Sequence, residues 1–388
     1  MNALNDLIGI INRLEKRMPE LETIKADELM LWLNKNQVLT FLLRENLHQP
    51  QYTEKVTKVI QFITERRELT LKDLQEIWDA QAGKHEAIVK NVENMLEKLV
   101  AHFTSEHLDH LFVCFGNGFE TANKRQRERL IELIRRLAVK EREFFAMKAL
   151  DFLWKLATKP VLFNELMQPA LSAHKQILDS CRSQKPLLEW LNRFSEILKE
   201  DSNDYDVVCA CRQFYDVCSL FSQHSALYTV SQFSEAEVVH QKAVNDDLIN
   251  VCISNLEHYM QRLAASLVSP LPPSVTYSPL DPISTPSILA IPHVLQIEER
   301  LALLRYLAVK GAQPLSLEQL QTLWEALIGS QAEARTPPNA ALMVAGQAVC
   351  FKWFDPEGNE LLREHALAFF EQNILKIEPQ RLTPALMK

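Results

Sequence analysis

Apolar residues recur at three- and four-residue spacing along nearly the whole chain. Ile88, Val92, Met95, Leu96, Leu99 and Phe103 form one stripe, and Leu130, Leu133, Ile134 and Leu137 a second. Val294, Ile297, Leu301, Leu304 and Ala308 form a third. This spacing gathers each set on one side of a helix, leaving a face that must be covered. Short polar breaks fall between the stripes, at Arg66–Thr70, Gln81–Lys84, Phe115–Asn123, Lys159–Pro160 and Lys185–Pro186. Helices of about 10–20 residues with short connections lie antiparallel to their neighbours, so the pattern predicts stacked helical pairs. Only 8 of the 388 residues are glycine, which removes the turn punctuation a many-stranded sheet needs.

One internal repeat can be read directly. Leu69–Ala80 is LTLKDLQEIWDA and Leu315–Ala326 is LSLEQLQTLWEA, identical at six of twelve positions, including Trp78 and Trp324. Each opens with a hydroxyl residue, Thr70 or Ser316, followed three later by Asp73 or Gln319. That is a capping-box-like helix start, in which side-chain oxygens satisfy otherwise orphaned amides. Ser105 opens a third such helix, SEHLDHLFVCF, and Ala149–Ala157 supplies another with a tryptophan. Trp78, Trp154, Trp190 and Trp324 are expected as core wedges between helices. A period of about 40 residues per helical pair suits HEAT or armadillo units. The expected fold is all-α, an armadillo/HEAT-like stacked helical-repeat solenoid. Ser269–Pro292 holds 7 of the 18 prolines, which cannot be a packed helix. The expected organisation is therefore a helical-repeat block at 1–267, a Pro-rich linker or insertion at 268–292, and further helical repeats at 293–388. Gly329–Pro338 reads as a loop.

Residues with the chemistry for a site were weighed against packing roles. His107, His110 and Cys114 share one helix face and can all ligate zinc. They flank the buried stripe of Leu108, Leu111, Phe112 and Phe115, and no fourth ligand is apparent. Cys209 and Cys211 are spaced CxC, which a helix directs to different faces, so structural thiols are expected. His85-Glu86 starts like a zincin helix, but Val89 stands where the second histidine must be. No GxSxG elbow occurs, and no cysteine follows a small-residue loop that would present a thiolate. Lys124, Arg125, Arg127 and Arg129 make a basic run, but Glu128 and Glu132 interleave with it, so a solvated helix face is expected. The expected site list is empty: no catalytic residue, no cofactor-binding residue and no metal ligand.

A net charge of −8 gives no general attraction to nucleic acid or to an anionic membrane. The longest apolar run, around Ala340–Phe351, falls short of the roughly 18 residues of a spanning helix. Asp6 and Glu15 interrupt the N-terminal segment, so it is expected to form an amphipathic helix through Leu4, Leu7, Ile8, Ile11 and Leu14 rather than a signal peptide. Seven cysteines without an export signal are expected as buried thiols in a reducing compartment, hence a cytoplasmic protein.

LHQPQY (47–52), LTLKDLQEIWDAQAGKHEAIVKNV (69–92) and EHLDHLFVCF (106–115) resemble the armadillo-type repeat region of the large fat-facets ubiquitin carboxyl-terminal hydrolases (FAF-X type). The likeness continues in order through KRQRERLIELIRRLA (124–138), ALSAHKQILDSC (170–181), EERLALLRYL (298–307) and CFKWF (350–354). The resemblance implies helical repeats that surround a separate papain-like domain with a cysteine box and a histidine box. Neither box has a matching position here, and the Pro-rich stretch departs from the family pattern. The expected function is thus a non-catalytic scaffold presenting a surface to other proteins, ubiquitination substrates or regulators among them. Two other readings stand beside it: a portion of an active thiol deubiquitinase whose catalytic domain lies elsewhere, and a helical adaptor unrelated to ubiquitin.

Overall fold

A computed structural model describes residues 2–16, 25–44, 46–140, 143–200, 203–225, 233–268 and 291–327. Among them lie sixteen α-helices: α1 (Asn2–Glu15), α2 (Ala26–Lys35), α3 (Val38–Arg44), α4 (Pro50–Glu65), α5 (Leu71–Asp79), α6 (Glu86–Leu99), α7 (Ser105–Thr121) and α8 (Lys124–Lys140). They continue as α9 (Glu143–Ala157), α10 (Phe163–Ser180), α11 (Lys185–Lys199), α12 (Asp204–Ser225), α13 (Glu235–Val244), α14 (Leu248–Val268), α15 (His293–Lys310) and α16 (Leu317–Leu327). Successive pairs begin at Pro50, Glu86, Lys124, Phe163 and Asp204, intervals of 36, 38, 39 and 41 residues. The expected period of about 40 is therefore present. The chain divides into two compact units, Met1–Leu153 and Trp154–Lys388.

In the first unit the helices form two rows. α4 packs on α1 and α6, and α6 on α8; α5 packs on α3 and α7. Val92, Met95, Leu96 and Leu99 are buried as the stripe requires, and Leu133, Ile134 and Leu137 likewise. Thr70 caps α5: its Oγ1 accepts from the Asp73 amide at 3.1 Å, while Asp73 Oδ2 accepts from the Thr70 amide at 2.9 Å. The third capped helix opens at Ser105 as expected, with Thr104 before it as the cap.

Two of the expected breaks are helical. α7 runs through Phe115 to Thr121, across Gly116 and Gly118. Each glycine costs a helix about 1 kcal/mol, but Phe115 and Phe119, four apart, are fully buried at about 1.5–3 kcal/mol each. Packing outweighs propensity there. Lys185–Pro186 opens α11 instead of interrupting it, because a proline in the first turn needs no amide partner.

In the second unit α12 packs on α10, α11, α13 and α15, and α14 on α11, α15 and α16. Trp154 and Trp190 are buried wedges, with ring centroids 5.7 Å apart. Trp78 is half-buried, edge-on to Phe115 at 5.4 Å; the Trp324 side chain lies outside the described set. His174 sits inside the Trp cluster, perpendicular to the Trp190 ring at 4.4 Å. Gln213 Nε2 donates to His174 Nδ1 at 3.1 Å and to the Leu171 carbonyl at 3.1 Å, so the neutral ring carries its proton on Nε2. Arg300 is buried on the apolar stripe of α15. It donates to Asn255 Oδ1 at 2.9 Å and to Gln296 Oε1 at 2.6 Å, and it faces Asp204 at 3.5 Å. Ser316 and Gln319 cap each other's amides at 2.8 and 3.2 Å, the same device as Thr70 and Asp73. The Pro-rich segment is described only at Ile291 and Pro292. Gly329–Pro338, Ala340–Phe351 and CFKWF lie outside the described residues.

Burying Phe115 and exposing the backbone at Gly116 have opposite consequences for stability. Phe115→Ala should lower the urea-unfolding free energy by about 3–5 kcal/mol. Gly116→Ala, with open space around the added methyl, should raise it by about 0.5–1 kcal/mol. Burial drives the His174 pKa down to about 3, with Arg193 adding to the shift. Below the ordinary imidazole range the unfolded chain binds a proton that the folded chain rejects. The contribution of His174 is therefore complete above about pH 6.5 and is lost as pH falls toward about 3. The urea midpoint should drop across that window, and less steeply in His174→Gln.

Candidate functional site

The residues singled out for chemistry are held by neighbouring helices. His107 occupies the third position of the α7 capping box: the Thr104 amide donates to its Nδ1 at 3.2 Å. Its Nε2 therefore bears the proton and donates to the Leu69 carbonyl at 2.9 Å. His110 Nε2 donates to Gln75 Oε1 at 2.9 Å, and the Cys114 thiol reaches the same oxygen at 3.4 Å. The zinc candidates thus join α7 to α5 and the turn before it. Burial pushes the Cys114 thiol up to about 11, with Asp79 adding to the shift. Among the described residues no group of three or more His, Cys, Asp and Glu side chains is placed to hold a metal ion.

The other candidates fall to similar roles. His85 is the cap of α6, accepting from the Ala87 amide at 3.3 Å. Cys209 and Cys211 are both buried, and burial holds both thiols high, that of Cys211 at about 12. Of the six described cysteines, five are buried and Cys181 is half-buried. Thiolate character is what makes a cysteine a nucleophile, and these surroundings oppose it.

The basic run is only in part the solvated face expected of it: Lys124 and Arg125 are exposed, whereas Arg127 and Arg129 are half-buried. α6 presents Glu86, Glu93 and Glu97, and α8 answers with Arg125, Arg129, Arg136 and Lys140. Glu93 is the centre, only 4% exposed, between Arg129 Nε at 2.9 Å and Arg136 Nη2 at 3.0 Å. Arg136 also reaches Glu97 at 2.8 Å, and Arg127 donates to the Phe119 carbonyl at 3.0 Å. Burial raises the Glu93 carboxyl above its ordinary value while both guanidiniums pull it back. Nothing in the sequence reading marked Glu93. The available signal was a carboxylate beside a buried stripe with arginines one repeat further on.

Grooves open among the described residues of the first unit. One, of about 330 Å3, lies between α4 and α6 and is lined by Thr53, Glu54, Asn91, Asn94 and Lys98 among others. Lys98 bridges it to Glu54 at 3.3 Å, and Asn91 donates to the Leu47 carbonyl at 2.8 Å. Another, of about 400 Å3, lies between α1 and α2 and is mostly apolar, with Trp32 on its wall.

The family model described as the UBP24/USP9X/USP9Y ARM repeat matches residues 1–388. The chain belongs to this family. Its relatives include ubiquitin carboxyl-terminal hydrolase 9X of Mus musculus, 35% identical over 413 residues, which cover 100% of this chain and 15% of the relative. The probable ubiquitin carboxyl-terminal hydrolase FAF of Drosophila melanogaster is also 35% identical, with 100% of this chain and 14% of the relative aligned. Ubiquitin carboxyl-terminal hydrolase 24 of Homo sapiens is 24% identical, with 99% and 15% aligned. The chain spans about 15% of the length of the curated relatives it matches. The all-α armadillo/HEAT-like class and the resemblance read from AQAGKHEAIVKNV both hold. Among the described residues no helix is long and apolar enough to cross a membrane.

The α6–α8 ladder makes Glu93 far more consequential than its neighbours. Glu93→Gln should cost about 1–3 kcal/mol in urea unfolding, because two partly buried arginines lose their counter-charge. Glu86→Gln, at 63% exposure, should cost less than about 0.5 kcal/mol. Equal losses at the two positions would contradict the assignment.

Proposed function

We propose that this chain is a non-catalytic helical-repeat scaffold of a FAF-X-type deubiquitinase system, presenting a protein-binding surface in ubiquitin-dependent regulation. The observation that carries the reading is its full-length match to a repeat segment that makes up about 15% of relatives named ubiquitin carboxyl-terminal hydrolases. Support also comes from the thiols: Cys114, Cys209, Cys211, Cys218 and Cys252 are all buried and shifted upward. Partners are other proteins, with ubiquitination substrates and regulators as the first class to test, and neither nucleic acid nor membrane. The buried thiols and net acidity favour a cytoplasmic setting. On this reading the catalytic step would belong to a separate domain, papain-like as the family resemblance implies, and not to this repeat segment. A second reading, that the chain is a portion of an active thiol protease, draws on the same relatives' names.

Ubiquitin vinyl sulfone separates the two. Incubated with the intact chain and read by mass spectrometry, the probe should leave the mass unchanged; an adduct on any cysteine would favour the enzyme. Affinity capture of the intact chain from cells, with a scrambled-surface control, should recover a reproducible partner set. Its absence would contradict the scaffold.

A further inference from the structure

The groove between α1 and α2 has a composition unlike the rest of the first unit. On α1, Leu4 and Ile11 are buried, and Asn5 and Asn12 accept hydrogen bonds from Lys55 and Lys58 of α4. Positions 4, 5, 11 and 12 therefore face α4. Ile10 lies a quarter-turn or more from all four at the 100° per residue of an α-helix, and Ala3 and Leu7 fall between it and that face, Leu7 only about 40° from Ile11. With Leu29 and Trp32 of α2, three apart, they line the groove. Leu7 and Ile10 are only half-buried and Trp32 is 53% exposed. Asp6 and Glu28 complete the lining, and among the described residues no basic side chain joins them.

We propose that this groove takes an amphipathic α-helix of a partner protein, one with leucine-like anchors flanked by lysine or arginine. The proposal rests on the scaffold reading and names the chemistry of one of its partners. From Ala3 to Ile10 is seven residues, or about 10 Å along α1, the length of two turns of a docked helix with anchors at i, i+3 or i+4, and i+7. Elsewhere in this unit a helix is covered by other helices, as α4 is by α1 and α6. The α1–α2 groove offers the apolar sides of two helices, so a helix is the shape that continues the packing. The two carboxylates set its charge: a basic flank gains their attraction and an acidic flank meets repulsion. Trp32 is the large aromatic side chain at the groove, the kind of residue on which binding energy concentrates.

The test uses the intact chain and two fluorescein-labelled peptides of about 18 residues. Both carry leucine at i, i+3, i+4 and i+7; one is flanked by lysine and the other by glutamate. Fluorescence anisotropy should show the lysine peptide binding at least about tenfold more tightly, and Trp32→Ala weakening it by about tenfold or more. The double variant Asp6→Lys, Glu28→Lys should reverse the preference. All substituted side chains line the surface, and circular dichroism with a thermal melt confirms that each variant folds. Indifference to flank charge, or unchanged binding in Trp32→Ala, overturns the proposal. So does a concentration-dependent dimer in sedimentation velocity that Trp32→Ala abolishes, since the occupant is then a second copy. If the peptides fail while Trp32→Ala still captures the full partner set from cells, the groove assignment falls and the scaffold stands.

Discussion

A helix in the middle of such a stack cannot bury its apolar surface against its own pair-mate alone. α6 meets α4 on one side and α8 on the other, and its stripe of Val92, Met95, Leu96 and Leu99 is fully covered only because both are present. This requirement for two neighbours sets the near-constant interval between pairs and makes each unit quasi-one-dimensional. It also explains why the connections carry caps. Thr70, Thr104, Ser234 and Ser316 each stop the orphan amides at a helix start where the chain turns from one row to the other.

Hydrophobic stripes alone tolerate sliding, and the polar groups between neighbouring helices supply what they lack. Glu93 is held between two arginines of α8, and Arg300 is held by Asn255, Gln296 and Asp204. Neither arrangement is a large net source of stability, since desolvation offsets much of the attraction. Each leaves a costly unpaired charge when the helices shift, which favours one register. His107, His110, Cys114 and Gln213 serve the same end through neutral hydrogen bonds. Side chains that could have done chemistry are occupied in joining helices, and what remains open to a partner is groove surface.

How legible this was depends on the range of the interaction. Periodicity, the capping boxes and the 69/315 echo are local, and the helices they mark are present. Phe115–Asn123 misled because two glycines signal a turn, whereas Phe115 and Phe119 make contacts that only the packed neighbours reveal. Lys185–Pro186 misled because a proline that ends one helix and a proline that begins the next look alike without the cap. The basic run at Lys124–Arg129 carried no mark of its partners, which lie about 40 residues earlier on α6. Arg300 was readable in principle, since it falls three residues after Ile297 on a buried stripe. The α1–α2 groove was visible only as a helix face: Leu7 belonged to the expected stripe, and its half-burial depends on α2.

The central claim is that neighbouring helices recognise one another through buried charge as well as through apolar area. A double-mutant cycle in urea unfolding isolates that interaction, with Glu93→Gln and Arg136→Met made singly and together. The coupling energy should be about 1 kcal/mol or more, as found for residues sharing one network. Additivity within about 0.3 kcal/mol would mean that the ladder is a passive surface feature and that apolar packing alone sets how α6 and α8 align.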